Sequence, residues 1–129
     1  MKHTQQGFTL AELMIVVLVL AILATIAYPS YDTFVRNSRM ENARADLMAN
    51  AQMLERFYAQ NHRFPSASDA FPLKENQYFT ITLTSNDPAA GYLMQAAPGS
   101  TNTKENLTLR LDENGVMTVC TASGDCQLK

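Results

Sequence analysis

The sequence predicts an α+β fold in which a long N-terminal helix packs on a three- or four-stranded antiparallel sheet with a C-terminal disulfide loop. An uncharged apolar run covers residues 13–27, and apolar residues then recur at helical spacing to about residue 60. Short segments that alternate apolar and polar residues follow between residues 78 and 119. One helix stripe and one half-apolar sheet face can cover each other, so these observations predict a two-layer domain after the apolar run.

The apolar run is long enough to cross a membrane. Counted from Phe8 to Tyr28, it reaches the roughly 30 Å of a hydrocarbon core at about 1.5 Å per residue. Lys2 and His3 make a weakly basic start, but residues 24–27 are a poor match to a signal-peptidase site and polar helix follows them. The sequence therefore predicts that this segment stays on the mature chain.

A carboxylate, Glu12, lies at the start of this run, directly after Gly7-Phe8-Thr9-Leu10 and Ala11. A charged side chain in a bilayer costs roughly 2.5–3.5 kcal/mol on insertion scales, so Glu12 is a candidate functional residue that needs a partner. The glycine offers a peptide bond that a membrane protease could reach. These features suggest a subunit that is held in a membrane, trimmed, and then packed helix to helix.

The second half of the predicted helix is amphipathic. Pro29 is expected to kink the helix or weaken its hydrogen bonding. Beyond it, apolar residues form a stripe that must be covered, and charged residues form a face that the pattern predicts to be solvated. The stripe consists of Val35, Met40, Ala43, Leu47, Ala51, Leu54, Phe57 and Tyr58, and the charged face of Arg36, Arg39, Glu41, Arg44, Asp46, Glu55 and Arg56.

The strands are predicted from alternation and turn residues. The candidates are residues 78–84, 92–96, 107–111 and 116–119, and the stretches from about residue 62 to 76 and from 97 to 106 are predicted loops. The last two are joined by residues 112–115, which end in Asn114-Gly115, a strong hairpin signal because this pair accepts positive φ.

The two cysteines of the chain, Cys120 and Cys126, lie near its end. An exported domain meets an oxidising compartment, which favours one intrachain disulfide. Free thiols or half of a metal site are the alternatives, although a C-x5-C pair without a nearby histidine is poor zinc spacing.

Composition argues against catalysis and against bulk nucleic-acid binding. The formal net charge is −2, which gives no general attraction for a polyanion. His3 and His62 are the only histidines, and neither has a serine or cysteine nucleophile suggested beside it. The sequence therefore predicts no catalytic residue, no metal and no cofactor.

The N-terminal residues, the sheet and the cysteine pair together resemble those of type IV pilins, and the resemblance covers the whole chain. It implies a leader peptide at residues 1–7, a transmembrane and assembly helix at 8–28 and a globular domain at 29–129. Besides the uncharged run, the long helix and the small sheet, it depends on Gly7, Phe8, Thr9, Leu10, Glu12, Pro29, Tyr31, Cys120 and Cys126.

The resemblance also implies roles for single residues. A prepilin peptidase would cut between Gly7 and Phe8, and the new amine of Phe8 would be N-methylated. Glu12 would pair with the Phe8 amine of a neighbouring subunit. A pair within one subunit is also geometrically possible, because Phe8 and Glu12 are four residues apart. Pro29 would mark where the helix kinks or melts on packing.

The same resemblance implies that Cys120 and Cys126 close a short C-terminal loop by a disulfide. That loop is expected either to be a surface patch that contacts a partner or to keep the end of the chain from fraying.

The resemblance implies a single-pass inner-membrane subunit with a periplasmic domain, later moved into an extracellular pilus. Its partners would be other pilin subunits, the prepilin peptidase, the assembly platform in the inner membrane and a host receptor. Residues 41–65 are similar to small neisserial-type minor pilins, some of which modulate adhesion, so the predicted function is a structural minor subunit that contributes to adhesion or to modulation of the pilus.

Two alternatives stay open at this stage. One is a DNA-uptake receptor, but the five basic residues after residue 60 are scattered among seven acidic ones, which argues against nucleic acid as a partner. The other is a pseudopilin of a type II secretion system, for which Asp112, Glu113 and Asp125 lack the dense oxygen ligands of a calcium loop.

Overall fold

The computed structural model describes residues 1–2, 6–66, 68–85 and 87–129. His3 and the two residues after it in the predicted leader lie outside the described residues. The described chain forms one helix followed by five strands. These are α1 (Leu10–Asn61), β1 (Phe79–Thr84), β2 (Leu93–Pro98), β3 (Thr108–Asp112), β4 (Met117–Cys120) and β5 (Cys126–Leu128).

The five strands form one antiparallel meander. Their order in the sheet is β1-β2-β3-β4-β5, so each strand pairs with its neighbours in the chain. The register aligns Ile81, Ala96, Leu109 and Val119 in one row across four strands. Because side chains alternate between the faces of a sheet, this row and its apolar neighbours make one face available for the core.

The chain divides into two compact units, Met1–Asn37 and Ser38–Lys129. In the second unit, the stripe of α1 and the apolar sheet face form a single core, which confirms the predicted α+β fold class. Packing of this stripe, more than intrinsic propensity, holds the second half of the helix in place. The core residues are Met40, Ala43, Leu47, Leu54, Phe79, Tyr92, Met94, Ala96, Leu109, Leu111 and Met117.

The residue directly after the helix has left-handed backbone. His62 has a φ of 55°, and its N–H donates to the carbonyl of Tyr58 at 2.7 Å. Asn61 satisfies another late carbonyl because its Nδ2 donates to the oxygen of Phe57 at 3.0 Å. His62 therefore has a backbone role at the helix C-terminus, in the position that glycine most often takes.

The predicted hairpin between β3 and β4 is present, with its geometry set by an aspartate. Of the Asn-Gly pair, only Gly115 takes a positive φ, of 77°. Asp112 Oδ1 accepts the N–H groups of Asn114 at 3.0 Å and Val116 at 2.9 Å. The side chain of Asp112 thus satisfies the backbone of the turn that Gly115 completes.

Two expectations need correction. The sheet has five strands where three or four were predicted, because β5 is only three residues long and its partner β4 supplies the pairing that defines it. Asp46 was placed on a solvated face, but its side chain is only 14% exposed and pairs with Lys74 Nζ at 2.7 Å. The helical pattern correctly predicted that Met40, Ala43, Leu47 and Leu54 are buried, but its prediction that Asp46 is solvated was wrong.

Candidate functional site

Glu12 forms a reciprocal cap with Thr9 at the start of α1. The N–H and the hydroxyl of Thr9 donate to Glu12 Oε2 at 2.9 and 3.0 Å, and the N–H of Glu12 donates to Thr9 Oγ1 at 3.2 Å. This is a capping box, in which two helix-end N–H groups are satisfied by side chains. Both bonds to Glu12 go to one oxygen, so the carboxylate keeps acceptor capacity at Oε1.

The capping role of Thr9 was not predicted from the sequence, although Thr9 belongs to the N-terminal motif. The signal was available, because a threonine followed three residues later by glutamate before an apolar run is the signature of a capping box. The cap keeps the Glu12 carboxylate at the first turn of α1, where the positive end of the helix dipole also favours a negative charge.

Gly7 and Phe8 lie just before the helix. Both are exposed, and among the residues that the structure describes no atom lies within 4 Å of a Cβ built on Gly7. The peptide bond between them is therefore sterically open in the unassembled chain. The structure brings the Gly7–Phe8 bond and the capped Glu12 to one end of the helix.

The first half of α1 is apolar on all sides and its side chains are exposed. By length and composition this helix could cross a membrane, a weak indication on its own because signal sequences and buried core helices share these properties. Representative exposures are 60% for Ile15, 61% for Leu18 and 54% for Ile22. A helix that is apolar all round needs lipid or protein as its surroundings.

Pro29 lies inside α1, between hydroxyl side chains that bond to the helix backbone. Thr25 donates to the carbonyl of Ile22 at 2.7 Å, and Thr33 donates to the carbonyl of Pro29 at 3.2 Å. Proline removes one helical hydrogen bond, and such hydroxyl bonds compete with the helical pattern. The helix is continuous here, so the predicted kink or melting on packing stays a prediction.

The C-terminal loop is closed by the Cys120–Cys126 disulfide. Within it, the N–H of Thr121 donates to the carbonyl of Asp125 at 2.9 Å, and Gly124 has a φ of 96°. Residues 121–125 are all exposed. The loop is a tight exposed turn between β4 and β5, and its disulfide was predicted correctly.

A second missed feature is a polar clamp between α1 and the segment that precedes β1. Asn50 is fully buried, and its side chain bonds to both the N–H and the carbonyl of Lys74. Asp46 Oδ2 accepts from Asn76 Nδ2 at 2.6 Å, next to its pair with Lys74. Burial alone would raise the pKa of Asp46, and the bonds from Lys74 and Asn76 outweigh it, so the pKa is lowered.

Several basic side chains of the globular unit contact acidic or aromatic side chains of the same chain. Arg63 pairs with Asp69 at 2.6 Å, and this bond, with those from Ser66, holds the pKa of Asp69 well below its usual range. Arg39 stacks over the ring of Tyr78 at 4.3 Å. Lys129 approaches Glu41 at 4.0 Å, and Arg44 approaches the same carboxylate at 3.9 Å. Such pairs leave less positive charge available to a polyanion.

Two of the three acidic residues considered for a calcium loop, Asp112 and Asp125, make hydrogen bonds in two separate turns. Asp112 caps its own turn, as described above, and Asp125 Oδ2 accepts from Ser123 at 3.3 Å in the disulfide loop. Among the described residues, no group of three or more acidic, histidine or cysteine side chains is arranged to hold a metal ion.

Comparison with known proteins gives two family matches. A family described as "Type IV minor pilin ComP, DNA uptake sequence receptor" matches residues 29–110, and a "Prokaryotic N-terminal methylation motif" matches residues 2–28. The first match ends before β4, β5 and the disulfide loop.

Individual relatives agree with these matches. The type IV major alpha-pilin of Moraxella bovis is 30% identical over 70% of this chain and 57% of its own length. The type IV major pilin protein PilA of Myxococcus xanthus is 30% identical over 86% of this chain and 46% of its own length. The chain thus spans about half the length of these curated relatives.

One solved structure is similar in fold as well as in sequence. The crystal structure of the Neisseria meningitidis non-core minor pilin PilV has 32% sequence identity and a TM-score of 0.62. The similarity covers 71% of this chain and 93% of that chain.

Proposed function

We propose that this chain, which belongs to the type IV minor pilin family, is a structural subunit that is held in a membrane and then polymerises through its N-terminal helix. The methylation motif at residues 2–28 and the exposed apolar half of α1 support this proposal. The role that we propose is structural and not catalytic, which the similarity to pilins supports. Before assembly the chain is a single-pass inner-membrane protein with its globular domain in the periplasm, and afterwards it is part of an extracellular filament.

The observation that carries the proposal is the Glu12 carboxylate at the start of the uncharged first half of α1. Cutting the open bond between Gly7 and Phe8 creates an ammonium group one turn before this carboxylate. In a low-dielectric bundle, an opposite charge is the most favourable partner for a carboxylate. Oε1 of Glu12 is the atom available to such a partner, because Thr9 bonds to Oε2.

We assign the Phe8 amine to Glu12 of a neighbouring subunit rather than to its own. A pair within one subunit would satisfy both charges before assembly and would give assembly no checkpoint. A pair between subunits makes processing a condition for assembly, since only the cut chain has the amine. N-methylation of Phe8 keeps the positive charge of that amine.

The experiment compares filament entry of three variants expressed in place of the native chain. Glu12→Ala and Glu12→Gln are expected to be processed and membrane-embedded yet to be depleted in purified filaments. Glu55→Ala, which removes an exposed carboxylate from the distal half of α1, is the control and is expected to enter normally. Normal entry of both Glu12 variants would refute the assembly role.

Processing is tested by substitution at the cut itself. Gly7→Ser is expected to accumulate as the uncut chain, because the peptidase would no longer accept the residue before the scissile bond. Efficient cleavage of this variant, seen as an unchanged N-terminal sequence at Phe8, would count against the assigned site.

Within the filament, we propose a low-abundance role that modulates adhesion. The family description as a minor pilin and the similarity to the non-core minor pilin support low abundance. The individual role is assigned to the sheet surface and the Cys120–Cys126 loop, since the loop lies beyond the family match. A subunit count in purified filaments near that of the bulk subunit would contradict this assignment.

DNA uptake is the second candidate, favoured by the description of the matching family as a DNA uptake sequence receptor. Against it, Arg63 and Lys74 are paired with carboxylates at 2.6 and 2.7 Å. A soluble fragment from Pro29 onwards is therefore expected to give no retardation of duplex DNA at physiological salt. Tight binding that weakens steeply with salt would reverse the order of the two candidates.

A further inference from the structure

Three exposed aromatic side chains follow the apolar run of α1 at three-residue steps. Tyr28 is 75% exposed, Tyr31 68% and Phe34 70%. At about 100° per residue, they lie within roughly 120° of the helix circumference. They therefore form one aromatic stripe on the helix.

The other side of the same two turns carries one proline and three polar side chains. Pro29, Ser30, Asp32 and Thr33 fall within the remaining arc at the same spacing. The hydroxyl of Ser30 donates to the carbonyl of Ile26 at 3.2 Å, and that of Thr33 bonds to the carbonyl of Pro29. This segment is thus amphipathic, whereas the segment before it is apolar on all sides.

The position of the stripe relative to the apolar run fixes its depth in a bilayer. No charged residue lies between Glu12 and Asp32. The twenty residues from Phe8 to Ala27 span about 30 Å, which fills a hydrocarbon core. Tyr28 then lies at its edge and Tyr31 about 5 Å beyond, inside a headgroup layer that is roughly 5–8 Å thick.

The chemistry of the stripe fits that layer. A tyrosine has an apolar ring and a polar hydroxyl, and such side chains are enriched where a membrane meets water. We propose that Tyr28 and Tyr31 form an interfacial belt that lies among the lipid headgroups on the side of the globular domain before assembly, and that Phe34, about 9 Å beyond Tyr28, continues the stripe just beyond this layer. The belt fixes how far the helix extends out of the membrane. It rests on the proposed storage of the subunit in a membrane.

The test uses tryptophan fluorescence, because the native chain contains no tryptophan. The full chain is reconstituted in vesicles of zwitterionic and anionic phospholipids that carry bromine either near the headgroup or near the chain end. Tyr31→Trp reports on the belt and Ile15→Trp on the membrane span. Val116→Trp, in the exposed turn between β3 and β4, reports on water.

Tyr31→Trp is expected to show a blue-shifted emission relative to Val116→Trp and stronger quenching by headgroup-proximal bromine than by chain-end bromine. Ile15→Trp is expected to be quenched most by the deep bromine. If Ile15→Trp is quenched but Tyr31→Trp responds only to an aqueous quencher, the belt is refuted and membrane storage stands. Deep quenching of Tyr31→Trp, or its protection from every quencher by a second copy, also overturns the belt. If neither variant responds to bromine, membrane storage itself fails.

Discussion

The side-chain amide of Asn50 bonds to both backbone polar groups of Lys74, 24 residues further along the chain. Nδ2 donates to the carbonyl at 3.1 Å, and Oδ1 accepts the N–H at 2.7 Å. Asn50 is fully buried in the middle of the apolar stripe of α1. A single helix residue thus fixes the segment that leads into the edge strand β1.

Asn50→Ala is expected to destabilise the globular unit by about 2 kcal/mol or more, because it leaves two backbone groups of Lys74 without partners. Urea unfolding of a fragment that begins at Pro29 measures the change. Asn61→Ala is the matched control, since its amide makes one exposed bond to its own helix. A cost for Asn50→Ala no larger than that of the control would contradict the clamp.

Asp46→Asn is expected to cost about 1–2 kcal/mol near pH 7, because the amide cannot accept from both Lys74 and Asn76 as the carboxylate does. The bonds of Asp46 lower its folded pKa below the ordinary value of about 3.9. Its ionised form therefore contributes stability that is fully present above the unfolded pKa and is lost as pH falls through the folded pKa.

The difference between Asp46→Asn and the native chain should accordingly shrink when unfolding is measured near pH 3 instead of near pH 7. Glu75→Gln removes an exposed carboxylate from the same segment and is expected to change stability at pH 7 by less than about 0.5 kcal/mol. A difference for Asp46→Asn that stayed constant with pH would show that ionisation is not its source.

Arg39→Ala is expected to cost about 1–3 kcal/mol. Its guanidinium stacks over Tyr78, and its Nη1 donates at 3.2 Å to Oδ1 of Asn102, a side chain that is 2% exposed. The loss combines a cation–π contact with a buried acceptor left unsatisfied. Arg39→Lys should recover only part of it, because an ammonium lacks the planar stacking surface.

Arg56→Ala is the control for that substitution, since it removes an exposed arginine from the same helix. It should change the free energy of unfolding by less than about 0.5 kcal/mol. Equal costs for the two arginines would mean that the contacts of Arg39 contribute no more than a general helix effect.

Replacing both Cys120 and Cys126 by serine is expected to cost about 2 kcal/mol, the loop-closure entropy of a short ring. β5 is the edge strand beside β4. In the double serine variant, hydrogen exchange should therefore become faster in β5 than in the native chain, while exchange in β1 to β4 changes less. Ser123→Ala, which changes the same loop and keeps the disulfide, should leave exchange in β5 slow. Uniformly faster exchange across the sheet would instead assign the disulfide a global role.

Local patterns were enough to predict much of this protein. The apolar steps from Met40 to Leu54 predicted the buried stripe, and alternation predicted four of the strands. The uncharged run with Glu12 at its start predicted a membrane-length helix and a candidate site. β5 was missed because three residues are too few to show alternation, and the capping role of Thr9 was missed although its spacing to Glu12 carried the signal.

The amino-acid sequence by itself determined the periodic features, since a helix or strand repeats its contacts every few residues and leaves that period in the chain. Only the tertiary structure decided that Asn50 is buried and that Asp46 is paired. Both depend on Lys74 and Asn76, whose positions are set when the sheet docks on the helix. A polar side chain on a helix is stable in water or against a distant partner, and the local sequence does not distinguish the two.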